Sequence, residues 1–112
     1  MLKRIPKRIT SEFLDKHYAC MLSTEHFAEN YPDGVDITEA NLVAWMRDRI
    51  FGGDVFWLME TLLGGQEEEI YNRVSANHAQ TTDCYTTPEF DRSYVRSCMR
   101  VIRNKWKKQG KH

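Results

Sequence analysis

The chain has few of the residues that interrupt helices. It contains three prolines, at positions 6, 32 and 88, and six glycines in 112 residues. Proline removes a backbone donor and glycine lowers helix stability, so their scarcity leaves room for long uninterrupted helices. Alternating runs of apolar and polar residues, the usual sign of half-buried strands, are lacking as well. We therefore predict an all-α fold.

Cysteines and long apolar runs are also scarce. The three cysteines are odd in number and no two have C-x-x-C spacing, which argues against a disulfide framework and indicates reduced thiols. No apolar stretch approaches the roughly 20 residues of a membrane helix. No apolar segment follows the basic N-terminus, as it would in a secretory signal. We predict a cytoplasmic protein that does not contact a membrane.

Acidic residues are missing from both ends of the chain. Residues 92–112 carry eight cations without an acid, and residues 1–8 carry four, which are Lys3, Arg4, Lys7 and Arg8. All 16 acids lie in residues 9–91 with only four basic residues, so this body has a charge of −12. The formal net charge of zero hides this division. Such polarity concerns partners and association more than the fold.

The length of the chain suits one domain. We predict a basic N-terminal arm, residues 1–9, and one compact domain of four or five helices, residues 10–112. The first helix begins with Thr10 or Ser11 as its N-cap and continues or kinks towards Asn30. Tyr-Pro-Asp-Gly at 31–34 then predicts a turn, because proline and glycine occupy their favoured positions in it.

Three further helices are predicted in the middle of the chain. Either Asp36 or Thr38 caps the first, which the glycine pair at 52–53 ends. Asp54 caps a very apolar helix over 54–63, which we expect to be central because it is apolar on nearly every side. The glycine pair at 64–65 ends it, and a helix over 66–78 follows.

The last helix, about residues 88–108, has the sharpest signals. Thr87 is its N-cap and Pro88 takes the first helical position. At about 100° per residue, five cations share one face: Arg92, Arg96, Arg100, Arg103 and Lys107. Apolar residues fall on the opposite side: Phe90, Tyr94, Val95, Cys98, Val101, Ile102 and Trp106. We predict a long amphipathic C-terminal helix with its cations outward.

Three interpretations of this cation row stay open. It is a binding surface for phosphates or for an acidic protein, a face that docks on the chain's own acids, or a solvated face without a partner. Like charges four residues apart on a helix destabilise it by a few tenths of a kcal/mol. Helices that need only solubility usually alternate the sign of their charges, which favours the binding surface.

Other candidate interface residues lie in predicted loops and among the acids. Tyrosine is enriched at the anchors of interfaces, which directs attention to Tyr31 and Tyr85. The acids around the first turn, Glu25, Glu29 and Asp33, offer a negative surface to a basic partner. The simpler interpretation of those acids is a solvated surface with helix N-terminal charges.

We find no signature of catalysis, metal or cofactor. His17 and Cys20 have a spacing that suits zinc, and the residues that could complete such a site are His26, His78, Cys84 and Cys98. Structural zinc sites normally show two close ligand pairs, and only one is present. Cys84 with His78 as its base would need a spatial contact that spacing does not indicate. We predict that the protein is not an enzyme and holds no metal or cofactor.

These patterns favour a small intracellular interaction protein that docks on a larger protein and modulates it. Accessory or inhibitor proteins of phages and mobile elements, which act on machines that handle nucleic acid, offer an analogy of style. The alternative is direct nucleic-acid binding by the cation row and the basic arm, since arginine makes bidentate phosphate contacts. A helix-turn-helix over 36–63 is rejected because its second helix is too apolar to lie in a groove.

Overall fold

The computed structural model describes residues 4–17, 21–47, 52–78 and 87–110, except for the side chains of 21–24, 26 and 52–54. This part of the chain is mostly helical, as predicted, with six helices rather than four or five and one short antiparallel sheet that was not predicted. In chain order the elements are β1 (Arg8–Ile9), α1 (Ser11–Lys16), α2 (Met21–Asn30), β2 (Val35–Asp36), α3 (Glu39–Arg47), α4 (Gly52–Leu63), α5 (Gly65–Asn77) and α6 (Pro88–Gln109).

The chain divides into two compact units. One consists of residues 6–55, and the other of residues 1–5 together with 56–112. The segment predicted as a basic arm contributes to both units. Ile5 is 2% exposed and Ile9 is fully buried. Both side chains therefore leave water, although the basic residues between them gave the segment the composition of a solvated arm.

In the unit of residues 6–55, β1 and β2 pair with Arg8 opposite Asp36 and Ile9 opposite Val35. Asp36 was predicted as a possible helix cap, and this is wrong because its backbone is in a strand. Its carboxylate Oδ1 accepts a hydrogen bond of 2.9 Å from the Arg8 Nε. Thr38 is the cap, since its Oγ1 accepts the Asn41 N–H at 3.1 Å.

The helices of this unit follow local signals, with two differences. Thr10 is the N-cap of α1, with its Oγ1 accepting the Phe13 N–H at 3.1 Å. The predicted run towards Asn30 is divided between α1 and α2, because α1 ends at Lys16. The glycines at 52–53 do not end a helix: α3 ends at Arg47, and α4 begins at Gly52. The apolar run after these glycines explains this, since packing stabilises short helices more than propensity does.

The turn between α2 and β2 requires glycine at position 34. Gly34 has φ of 84° and donates its N–H to the Tyr31 carbonyl at 2.9 Å. A Cβ on this residue would lie 2.6 Å from the Ile9 carbonyl oxygen, which belongs to β1. The backbone of the turn at Gly34 therefore packs closely against β1, the strand that pairs with β2.

Gly34→Ala is expected to lower the free energy of unfolding by about 1–2 kcal/mol, from the left-handed backbone alone. Urea denaturation of purified protein measures this loss. Gly65→Ala is the control, because a Cβ at Gly65 meets nothing within 4 Å, and its effect should stay within about 0.5 kcal/mol. Equal stabilities of the two variants would contradict the role given to the turn.

In the other unit, α5 and α6 pack against each other. Four rings form one cluster between these helices and α4: Phe56, Tyr71, Phe90 and Tyr94. The Phe90 and Tyr94 rings are stacked, with centroids 5.9 Å apart and planes 9° from parallel. Gly64, with φ of 59°, follows the end of α4 as predicted, and α5 begins at the next residue. This packing holds the apolar face of α6 inward and so decides which residues it presents outward.

Candidate functional site

Helix α6 begins where its sequence signals predicted. Thr87 Oγ1 accepts the Phe90 N–H at 3.1 Å, and Pro88 occupies the first turn. The helix has 22 residues and is therefore about 33 Å long. It extends one residue beyond the predicted end, to Gln109.

The two predicted faces of α6 are present. The buried residues are Phe90, Asp91, Tyr94, Val95, Cys98, Met99 and Ile102. Val101 and Trp106 are only half-buried, and Met99 was not among the predicted apolar residues. The five cations of the opposite side are all exposed, and we call them the basic face: Arg92, Arg96, Arg100, Arg103 and Lys107.

Few carboxylates approach the basic face within the part of the chain that the structure describes. Arg92 Nη2 lies 3.9 Å from Glu89 Oε1, and both side chains are more than half exposed. Such an exposed pair contributes little to stability. No carboxylate pairs with Arg96, Arg100 or Lys107 among the described residues. The face is therefore a band of positive charge whose N-terminal end includes the weak Arg92–Glu89 ion pair.

The N-terminal segment is fastened to the C-terminal end of α6. Ile5 donates its N–H to Gln109 Oε1 at 2.7 Å, and its carbonyl accepts from Gln109 Nε2 at 3.3 Å and from Trp106 Nε1 at 3.0 Å. These three hydrogen bonds form what we call the N-terminal clamp. Arg4, which is exposed, immediately precedes the clamped residue. The clamp thus brings part of one basic end of the sequence to the other.

The remaining cations of the predicted arm differ from Arg4. Arg8 belongs to the unit of residues 6–55, where its Nη1 donates to the Asp33 carbonyl at 2.6 Å and its Nε to Asp36. It therefore stabilises the strand pair. Lys7 is exposed in the same unit, and Lys3 lies outside the described residues.

The described structure includes most of the predicted interface tyrosines and acids. Tyr31 is half-buried, and its ring lies 5.3 Å from that of Phe27 and 6.0 Å from that of Trp45. Tyr85 lies outside the described residues. The predicted acids are all exposed: Glu25, Glu29 and Asp33. Their role at an interface stays a prediction.

The sequence did not lead us to predict a buried polar pair in the unit that contains α5 and α6. Tyr94 Oη donates a hydrogen bond of 2.6 Å to Glu67 Oε1, and Glu67 is only 9% exposed. Glu67 stands beside Glu68 and Glu69 near the start of α5, a position typical of exposed acids that interact with the helix dipole. Its spacing from Ile70 and Val74, three and seven residues, could have placed it on the buried face.

Burial also changes the acidity of two groups on α6. Burial raises the pKa of the Cys98 thiol to about 12, and the charge of Glu67 acts in the same direction. The pKa of Tyr94 rises above its ordinary range, first through burial and then through the neighbouring Cys98 and Glu67. Both groups are therefore protonated at neutral pH. A nucleophilic thiolate or a general base needs a pKa closer to neutral pH than either group has.

Next to this pair lies an open groove of about 390 Å³. Its lining residues are Glu60, Gly64, Gly65, Glu67 and Glu68. The acids give the groove a negative lining at the junction of α4 and α5. Glu67 contributes from its buried position, whereas Glu60 and Glu68 are exposed.

The described residues give little support to the predicted histidine and cysteine sites. The His17 ring lies 4.4 Å from that of Phe13, and His78 Nε2 lies 3.1 Å from Ser93 Oγ. Within the described ranges no three histidine, cysteine or acidic side chains could hold a metal ion. Cys20, Cys84 and the side chain of His26 lie outside the description, so the Cys84–His78 pair stays untested.

The basic face combines five exposed cations on one helix of the described chain. None of the described helices combines the length and apolar character needed to span a bilayer. No known protein family, curated protein or solved structure matches this chain.

Proposed function

We propose that this chain is a non-enzymatic interaction protein that docks on an acidic surface of a larger protein through the basic face of α6. One observation supports this proposal above others: five cations lie side by side on one rigid helix, all exposed. Their mutual repulsion costs helix stability. A partner with opposite charge would offset that cost.

The rigidity of the face suits a docking surface. The residues behind it are buried, including Tyr94, Val95 and Ile102 at 1% exposure or less. The backbone of α6 is therefore fixed by packing, and the spacing of the cations along the helix is set before a partner arrives. Preorganisation of this kind strengthens binding because less conformational freedom is lost in the complex. Arginine adds planar, bidentate geometry towards carboxylates.

Nucleic acid is the second candidate, favoured by the arginine content of the same face. Arginine contacts phosphate as well as carboxylate. The whole chain, however, has no net charge and a pI near 6.9, whereas nucleic-acid-binding domains commonly have a pI above about 9. A protein partner needs only local charge complementarity. We therefore favour an acidic protein and make nucleic acid an outcome of the test.

The test compares two charge-reversed variants with the original protein. The first carries Arg96→Glu, Arg100→Glu and Arg103→Glu, all on the basic face. The second is a control with the same change of net charge, made at three exposed cations off that face: Lys16→Glu, Arg73→Glu and Lys108→Glu. Each protein is immobilised and used to recover partners from a lysate of the cells in which it occurs, once without and once with nuclease treatment.

We expect a stoichiometric protein partner with the original chain and with the control, and recovery reduced about tenfold or more with the basic-face variant. Recovery that depends on nucleic acid, and disappears after nuclease treatment, would support the second candidate instead. Equal recovery by both variants would show that the basic face does not mediate docking. Circular dichroism of each variant establishes that α6 remains folded.

A further inference from the structure

The cations of the basic face follow a regular line along α6. Successive members are separated by four, four, three and four residues. With a rise of about 1.5 Å per residue, the steps are about 6, 6, 4.5 and 6 Å, and the whole row is about 22 Å long. All five directions fall within about 80° around the helix axis. The charges therefore form a band about 80° wide that runs along one side of the helix.

The length of this row distinguishes between the elements that could lie against it. A second α-helix has the same rise, so acids at i, i+4, i+8, i+11 and i+15 would stay opposite the cations over all of the row. Residues on one face of a β-strand repeat about every 6.7 Å, and four such steps extend about 27 Å. A strand would therefore be out of register by about 4 Å at the far end.

Uncharged polar residues form one border of the basic face. Ser93, Ser97 and Asn104 lie about 100–140° from Arg92 around the axis, between the cations and the buried face. They are uncharged, and the two serines are short. A second helix packs at about 8–10 Å between axes. Ser93 already contacts His78 Nε2 at 3.1 Å and Ser97 is half-buried, so a partner helix would lie over the cations themselves. At that distance the long arginine side chains reach across to carboxylates.

We infer that the acidic surface recognised by the basic face is an amphipathic α-helix whose acids repeat at these intervals, lying alongside α6. This inference rests on the proposed function and gives the chemical class of the partner's contact element. Charge complementarity supplies the attraction, and the shared rise of the two helices supplies the register. The helix of the partner would pair most of its acids at once, which scattered acids of the same number would not do.

The experiment uses two synthetic peptides of about 18 residues, long enough for the row at the helical rise. Both have five glutamates in an alanine and glutamine background. In the matched peptide the glutamates lie at i, i+4, i+8, i+11 and i+15, and in the rearranged peptide they are distributed around the helix. Both peptides are labelled and titrated with the full chain by fluorescence anisotropy, after circular dichroism has shown equal helicity. A labelled DNA duplex is titrated in parallel.

We expect the matched peptide to bind about tenfold more tightly than the rearranged one. The Arg96→Glu, Arg100→Glu, Arg103→Glu variant should lose this difference, and the Lys16→Glu, Arg73→Glu, Lys108→Glu variant should keep it. Equal binding of both peptides would overturn the helical register and leave the acidic partner in place. Binding of the duplex with neither peptide bound, or no binding by any probe, would overturn the proposed function together with this inference.

Discussion

Replacing Tyr94 with phenylalanine is expected to lower the free energy of unfolding by about 1.5–3 kcal/mol, the range for a hydrogen bond to a charged group. The Tyr94 side chain is fully buried, and its hydroxyl lies 2.6 Å from the Oε1 of Glu67, itself 9% exposed. The substitution removes one oxygen and keeps the stacked ring. Stability is lost because the Glu67 carboxyl group stays buried without its hydrogen-bond donor. Urea denaturation followed by circular dichroism measures it.

Tyr71→Phe is the matched control. The Tyr71 ring belongs to the same cluster, with its centroid 5.6 Å from that of Phe56 and 5.8 Å from that of Phe90. Its hydroxyl makes no hydrogen bond within the described part of the chain, so the change should stay within about 0.5 kcal/mol. Glu67→Gln retains an acceptor, and we expect it to cost less than Tyr94→Phe. Similar losses in the two tyrosine variants would show that the Tyr94–Glu67 bond contributes nothing specific.

The parts of this fold that could be predicted from sequence are those fixed by neighbouring residues. Helix α6 is the clearest case, because Thr87 and Pro88 define its start and its cations and apolar residues separate at the helical period. The same local information locates Thr10 as the cap of α1. An interaction between residues three or four positions apart can be predicted from the local sequence.

The features that could not be predicted depend on residues far apart in the chain. The Arg8–Asp36 bond joins residues 28 apart, and the N-terminal clamp joins Ile5 and Gln109, which are 104 apart. Each strand has only two residues, too few for the alternation that identifies strands from sequence. Nothing local marks Gln109 as the partner of a distant backbone, since glutamine is common on exposed helical surfaces.

The candidate site divides in the same way. The basic face could be predicted because one helix supplies all of its members. The position of Arg4 beside the end of α6 could not, because it follows from the clamp on Ile5. Glu67 lies between these cases: its spacing indicated the buried face, but its charge favoured an exposed helix start. The buried donor that offsets the cost of its burial, Tyr94, lies 27 residues away.

The stability of the protein is expected to fall as the pH rises above about 9, by about 1.4 kcal/mol per pH unit for each group concerned. Burial raises the pKa of Cys98 from 9.0 to about 12 in the folded chain. Between these values the unfolded chain has lost the thiol proton and the folded chain retains it. Rising pH therefore favours unfolding, and the loss from Cys98 reaches about 4 kcal/mol over the window. Tyr94 adds a loss of the same sign above its ordinary pKa of 10.0.

Cys98→Ser isolates the contribution of the thiol, because a serine hydroxyl does not titrate in this range. The substitution changes the stability at neutral pH by a constant amount, so the informative quantity is the slope of unfolding free energy against pH. Urea denaturation from neutral pH to about pH 11 should give a steeper decline for the original protein than for the variant, beginning near pH 9. Above pH 10 both proteins should share the additional decline from Tyr94. Parallel curves from pH 9 upward would mean that the Cys98 thiol titrates alike in the folded and unfolded chain, and that the interior of α6 is open to water at this position.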